Sequence, residues 1–141
     1  MSNKKPNLLF VYTDEQRFDT LKCYGNNTIE MPNLNALSES ATVFDRAYVT
    51  QPVCTPPRAS LLTGLTPHTC QMEHNNLSLL DQTRCLPEMI SSDYTCGHIG
   101  KWHLGDEIYP QHGFSHWRAT EDSYHAFYRR DRDQKDRSPY H

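Results

Sequence analysis

Two adjacent prolines fix where one helix of this chain must begin. They are Pro56 and Pro57, in the stretch CTPPRASLLTG that covers residues 54–64. Proline has no N–H to donate, so a helix tolerates it in the first turn and is disrupted by it further in. The sequence therefore predicts a helix that is capped by Thr55, holds both prolines in its first turn and ends at Gly64.

Strand-like apolar runs alternate with helical patterns along the rest of the chain. The apolar runs lie at residues 7–13 (NLLFVYT), 42–49 (TVFDRAYV) and 94–100 (YTCGHIG). Helical patterns lie at residues 31–41, where Pro32 suits the first helical position, and at residues 86–92. This alternation predicts an α/β fold, and the continuous run at residues 7–13 predicts a buried parallel strand. The charged residues 128–141 predict a solvated helix or a disordered end.

The charge and hydropathy of the chain argue against two classes of partner. The net charge is −3, whereas nucleic-acid-binding domains are usually basic, so we expect no nucleic-acid partner. No apolar run approaches the roughly 20 residues that span a bilayer, so we expect no membrane partner. The first apolar run meets Asp14 without a small-residue cleavage site, which predicts a cytoplasmic protein without a signal peptide. The five cysteines include no C-x-x-C pair and do not favour a disulfide framework or a zinc site.

Cys54 stands at the predicted start of the proline-marked helix, and Arg58 follows about one turn later. The positive end of the helix dipole favours a thiolate or a developing anion, and helix N–H groups suit an oxyanion such as sulfate or phosphate. Arg58 would add a cationic fork. These residues predict a nucleophile, or its derivative, above an anion-binding floor. A buried structural cysteine, with Arg58 on the surface, is the alternative.

Two further pairs of residues have the chemistry of a site. Asp14 and Glu15 follow the first predicted strand at its carboxyl end, where ligands bind in open α/β sheets, and carboxylates suit Ca²⁺ or Mg²⁺. Lys101 and His103, in GKWHLG, would share one face of an extended segment, where they could bind an anion and move a proton. The alternatives are a polar strand exit, a surface lysine and a hydrogen-bonded histidine.

Taken together, these segments resemble the type I sulfatases of the alkaline-phosphatase-like superfamily. The family's cysteine signature, C-x-P-x-R…LTG, is similar to CTPPRASLLTG. Its opening strand with metal-binding carboxylates is similar to PNLLFVYTDEQRFDT, and its second signature is similar to GHIGKWHLG. MPNLNALSESATVFDRAYV resembles the helix and strand between them, and PQHGFSHW is a weaker match. The resemblance covers residues 6 to about 105. It implies the N-terminal part of an α/β/α sandwich with a mostly parallel sheet, within one catalytic domain that includes residues 1–141.

The resemblance implies a catalytic role for Cys54. In this family the motif cysteine is oxidised to formylglycine by a formylglycine-generating enzyme, which reads the positions of Pro56 and Arg58. Hydration of the aldehyde gives two hydroxyls. One attacks the sulfur of a sulfate ester and the alcohol leaves; the other then loses its proton, and sulfate is expelled. The implied activity is sulfuric ester hydrolysis on a small-molecule or sugar sulfate.

The resemblance also implies roles for the other residues. Asp14, Glu15 and the modified Cys54 would ligate a divalent cation, Ca²⁺ with Mg²⁺ or Mn²⁺ as alternatives, although the family often has Asp or Gln where Glu15 stands. Arg58 would steady the formylglycine hydroxyl and Lys101 would bridge it to the sulfate. His103 would take the proton that triggers sulfate release.

Family members are roughly three times longer than this chain, and their later segments complete the metal site. We therefore expect little turnover from this chain alone.

Three alternatives to a sulfatase stay open at this point. Phosphonate monoester and phosphodiester hydrolases of the same superfamily share these motifs. A non-catalytic remnant that serves as a binding module would explain an exposed sheet edge. A redox-active thiol protein is less favoured, since no resolving cysteine is visible.

Overall fold

The computed structural model describes residues 5–120, so the predicted charged tail at residues 128–141 lies outside the described residues. The chain divides into two compact units, Met1–Tyr48 and Val49–His141. The first unit contains two short 3-10 helices, Phe18–Thr20 and Lys22–Tyr24, and helix α1, Pro32–Ser40. The second contains helices α2, Thr55–Thr63, and α3, Leu86–Met89, followed by strands β1, Gly97–Gly100, and β2, His116–Ala119.

In the first unit, the predicted helix is present and the predicted strands are not. Helix α1 begins at Pro32, where proline's fixed φ suits the first turn, so this prediction is confirmed. Residues 7–13 form no strand, and Leu9 in their middle is 90% exposed, so the prediction of a buried strand is wrong. Residues 42–49 form no strand either. A strand requires a hydrogen-bonded neighbour, and among residues 5–120 only β1 and β2 are paired.

Helix α2 follows its sequence prediction except at its cap. Both prolines lie in the first turn, and Gly64 ends the helix with φ 71°, donating its N–H to the Ser60 carbonyl over 2.8 Å. The predicted cap, Thr55, is instead the first helical residue, and Cys54 occupies the cap position. The Thr55 hydroxyl is used elsewhere, since it donates to the His103 carbonyl over 2.9 Å.

Strands β1 and β2 form a parallel pair, with Gly97 opposite His116 and Gly100 opposite Ala119. A parallel pair beside helices agrees with the predicted α/β class. Strand β1 is shorter than the predicted run at residues 94–100, and β2 was not predicted. Helix α3 also stops earlier than predicted, because Ile90 has extended backbone and a local turn follows, in which Asp93 donates its N–H to the Ser91 hydroxyl.

The core of the second unit surrounds the two tryptophans. Its buried members are Ala59, Cys70, Met72, Leu79, Cys85, Trp102, Leu104, Trp117 and Ala119. All five cysteines are free thiols. Burial, and then the charge of Glu88, raise the pKa of the Cys85 thiol to about 12. No helix within residues 5–120 is long and apolar enough to cross a membrane.

His98 on β1 is packed among aromatic rings. Its ring centroid lies 4.9 Å from that of Trp117, 5.2 Å from that of Trp102 and 5.6 Å from that of Phe114. Desolvation by these neighbours lowers the pKa of His98 below its ordinary 6.5, and the charge of Arg58 acts in the same direction. The folded state therefore binds this proton less readily than the unfolded chain.

The pKa of His98 predicts a pH-dependent stability. The free energy of unfolding should fall as the pH is lowered through about 6.5, where the unfolded chain takes up a proton that folded His98 resists. The variant His98→Gln should flatten this pH profile, as measured by urea unfolding at several pH values. The exposed His116→Gln on the neighbouring strand is the control, and an equal flattening there would contradict the assignment.

Gly113 passes close to α3 with φ 81°, where a Cβ would lie 2.7 Å from Glu88 Cγ and 3.0 Å from the Glu88 nitrogen. Gly64 has a similar φ of 71° and open space around it. Gly64→Ala should cost about 1 kcal/mol for its backbone conformation. Gly113→Ala should cost roughly 1–3 kcal/mol more from overpacking, measured by urea unfolding. Equal losses would show that the backbone does not approach α3 so closely.

Candidate active site

Cys54 lies at the start of α2 with a half-buried side chain. Its carbonyl accepts the Arg58 N–H over 3.4 Å, which opens the helical hydrogen-bond ladder. The predicted anion-binding floor of helix N–H groups is not formed. Thr55 donates its N–H to Asn75 Oδ1 over 2.9 Å, and Pro56 and Pro57 have none to donate. Side chains are therefore the main groups available to bind an anion beside Cys54.

Lys101 is the basic side chain that the structure brings to Cys54. It directly follows β1, and its Nζ lies 3.7 Å from Cys54 Sγ. The Lys101 backbone is tied to α2, because Arg58 donates from a terminal guanidinium nitrogen to the Lys101 carbonyl over 2.8 Å. Arg58 is 9% exposed, so the alternative of a surface arginine is wrong. Two cationic side chains thus border the first turn of α2.

His103 lies two residues beyond Lys101 and is 7% exposed. Its φ of 54° is in the left-handed region, so His103 does not continue the extended segment on which the prediction of a shared face with Lys101 was based. The hydrogen bond from the Thr55 hydroxyl to the His103 carbonyl joins the first turn of α2 to this strained residue. The role of His103 in proton transfer stays a prediction.

Sequence reasoning missed two residues of this arrangement. Thr55 was expected to cap its own helix, and Asn75 was not among the predicted site residues. Their partners are 48 and 20 residues away along the chain, so only the folded structure reveals them. Asparagine is often used to accept backbone N–H groups at helix starts, which is the one signal that Asn75 carries.

The predicted metal ligands Asp14 and Glu15 belong to the first unit, and both are exposed. Glu15 has φ 55°, an uncommon backbone conformation for a residue with a side chain. Two adjacent carboxylates supply the hard oxygen donors that Ca²⁺ or Mg²⁺ prefers, so this donor set fits the cation that the sequence predicts.

Comparisons with known proteins agree with the motifs. A family model described as Sulfatase matches residues 6–139. The chain is 37% identical over 128 residues to an ulvan-active sulfatase of Formosa agariphila, covering 85% of this chain and 25% of that protein. It is 34% identical over 115 residues to an N-acetylglucosamine-6-O-sulfatase of Bacteroides thetaiotaomicron, covering 81% and 20% respectively.

A solved structure shares the fold. It shows a protein in complex with its substrate D-glucosamine-2-N,6-O-disulfate, with a TM-score of 0.77 and 30% identity over 86% of this chain and 24% of the other. This chain spans about a quarter of the length of the relatives it matches. Since the family model matches nearly the whole chain, the chain belongs to the sulfatase family and represents its N-terminal part.

Proposed function

We propose that this chain carries the nucleophile-bearing part of a sulfuric ester hydrolase, with Cys54 as the source of the nucleophile. The observation that carries the proposal is the 3.7 Å contact between Lys101 Nζ and Cys54 Sγ at the start of α2. A cysteine with no chemical role has no need of a lysine ammonium group at its sulfur atom. A nucleophile that attacks an anionic ester does, because the cation attracts the sulfate group and stabilises the developing charge.

Each nearby side chain has a task in this proposal. Lys101 binds the sulfate beside residue 54, and Arg58 holds the Lys101 backbone in place while adding positive charge. His103 accepts the proton whose loss releases sulfate. Formylglycine, formed from Cys54 by a formylglycine-generating enzyme, would supply one hydroxyl as nucleophile and a second that allows sulfate to leave.

Asp14 and Glu15, together with the modified Cys54, are the proposed ligands of a divalent cation. Ca²⁺ is the ion we propose, and Mg²⁺ or Mn²⁺ would meet the same oxygen donors. When bound, the cation would act as a Lewis acid on the ester. Exposed carboxylates alone bind such ions weakly, so we predict little turnover by the isolated 141-residue chain.

The proposed substrate is a sugar sulfate. The relatives are named for ulvan and for N-acetylated amino sugars, and the substrate in the solved structure is a disulfated glucosamine. A phosphonate monoester or phosphodiester is the second candidate, because both ester classes place a tetrahedral anion beside the same lysine. A cytoplasmic location stays a prediction.

Mass spectrometry of the peptide that contains residue 54 tests the proposal directly. In cells that hold a formylglycine-generating enzyme, the CH₂SH group of Cys54 should be replaced by CHO. The variant Arg58→Lys keeps the charge but loses the fork, so it should reduce conversion. An unmodified thiol at residue 54, in cells that modify a control sulfatase, would contradict the proposal.

The substrate class is tested on the protein isolated from its native cells. Paired rate assays would compare a 6-O-sulfated amino sugar, an aryl sulfate and a phosphonate monoester at equal concentrations. We expect the sugar sulfate to be fastest, and Cys54→Ala to abolish its hydrolysis. A faster phosphonate reaction would replace the sulfatase assignment with the second candidate.

Thr55 is proposed as a positioning residue for His103. Thr55→Val keeps the shape of the side chain and removes its hydroxyl, which leaves the buried His103 carbonyl without this donor. We expect a loss of about 1–2 kcal/mol in unfolding free energy and a shift of the His103 ring resonances in NMR spectra. Thr55→Ser should restore both. Thr63→Val, which removes a hydroxyl from the other end of α2, should leave the His103 resonances unchanged.

A further inference from the structure

A second group of side chains in the second unit has the chemistry of a metal site. Cys85, Glu88 and His112 each offer one ligand atom, and these atoms all lie within 4.8 Å of one another. None of the three belongs to the proposed sulfatase site. They combine a thiol, a carboxylate and an imidazole. The thiolate, the carboxylate and the neutral imidazole are all donors that Zn²⁺ prefers.

Helix α3 sets the positions of Cys85 and Glu88. Cys85 is the residue just before the helix, and Glu88 is its third residue, so both side chains lie at the first turn. Glu88 Oε2 accepts the Cys85 N–H over 2.8 Å, which holds the carboxylate beside the thiol. Cys85 is fully buried, whereas the Glu88 side chain is 32% exposed and provides a route to solvent.

The loop before β2 places His112 beside Cys85 and Glu88. Gly113 approaches Glu88 closely, so this loop lies against α3. His112 Nδ1 lies 4.0 Å from Glu88 Oε2 and 3.1 Å from the Thr83 carbonyl. The ring is buried, and its Nε2 has no hydrogen-bond partner within the part of the chain that the structure describes. A buried imidazole nitrogen without a partner is a costly arrangement unless a ligand offsets it.

The geometry points to a binding site for a divalent ion of the Zn²⁺ class, held by Cys85, Glu88 and a ring nitrogen of His112. Ligand atoms around a tetrahedral zinc ion lie roughly 3–4 Å apart, so the side chains would close by about 1 Å on binding. Water enters from the Glu88 side and completes the coordination. The Cys85 thiol gives up its proton to solvent as the sulfur–metal bond forms.

Such an ion would join α3 to the loop that leads into β2. It binds the folded state and not the separated ligands, so it stabilises the second unit. This role is independent of sulfate ester hydrolysis, because no ligand of this site is among the residues proposed for catalysis.

The test uses the whole 141-residue chain in a Cys54→Ala background, which removes the thiol of the proposed sulfatase site. Zn²⁺ affinity is measured by competition with a chromophoric chelator, and Co²⁺ is added to detect thiolate coordination as a near-ultraviolet charge-transfer band. We expect one equivalent of Zn²⁺, a cobalt–thiolate band and a higher melting temperature with Zn²⁺. Cys85→Ala and His112→Gln should each weaken Zn²⁺ binding roughly tenfold or more, and Cys85→Ala should remove the band.

Glu88→Gln separates metal binding from folding. Its amide oxygen can still accept the Cys85 N–H, since glutamine serves at this capping position, but its carboxylate is lost. This variant should fold normally by circular dichroism and lose both the high affinity and the zinc-dependent rise in melting temperature. Cys23→Ser, in the first unit, should change neither. Failure of the chain to bind Zn²⁺, or a Zn²⁺ affinity in all three ligand variants equal to that of the parent chain, would overturn the inference.

Discussion

The first turn of α2 is the constraint on which the candidate active site depends. Three hydrogen bonds are made from it. Thr55 donates its N–H to Asn75 Oδ1 and its hydroxyl to the His103 carbonyl, and the Arg58 guanidinium donates to the Lys101 carbonyl. Each joins the helix start to a segment far away in the sequence. The two bonds to His103 and Lys101 hold the residues that follow β1 against the first turn of α2, so this part of the site is set by backbone carbonyls that accept from α2 side chains.

The parts of the fold that sequence reasoning predicted are those decided by local physics. The position of α2 follows from the missing N–H of Pro56 and Pro57, and its end follows from the left-handed backbone of Gly64. The prediction for the apolar run at residues 7–13 was wrong because it rested on apolar composition, which indicates only that the segment favours burial. A strand also needs a neighbouring strand to which it can hydrogen-bond. Its side chains are exposed, with Leu9 the extreme case.

The residues of the candidate site could be proposed from the sequence, but their arrangement could not. The motifs named Cys54, Arg58, Lys101 and His103, and the structure brings Lys101 to Cys54. The positive φ of His103 and the use of the Thr55 hydroxyl could not be read from the sequence, because each depends on contacts between distant segments. The same holds for Cys85, Glu88 and His112, whose spacing along the chain matches no metal-binding motif.

The burial of the motif side chains has a consequence for the order of events in the cell. Pro56 is fully buried and Arg58 is 9% exposed. An enzyme that recognises these two side chains must therefore meet them before the second unit has closed, or during a rare local opening. In the proposed modification of Cys54, the yield of modified chain then depends on the relative rates of folding and oxidation. A substitution that speeds folding would lower that yield without touching the motif, and slower folding would raise it.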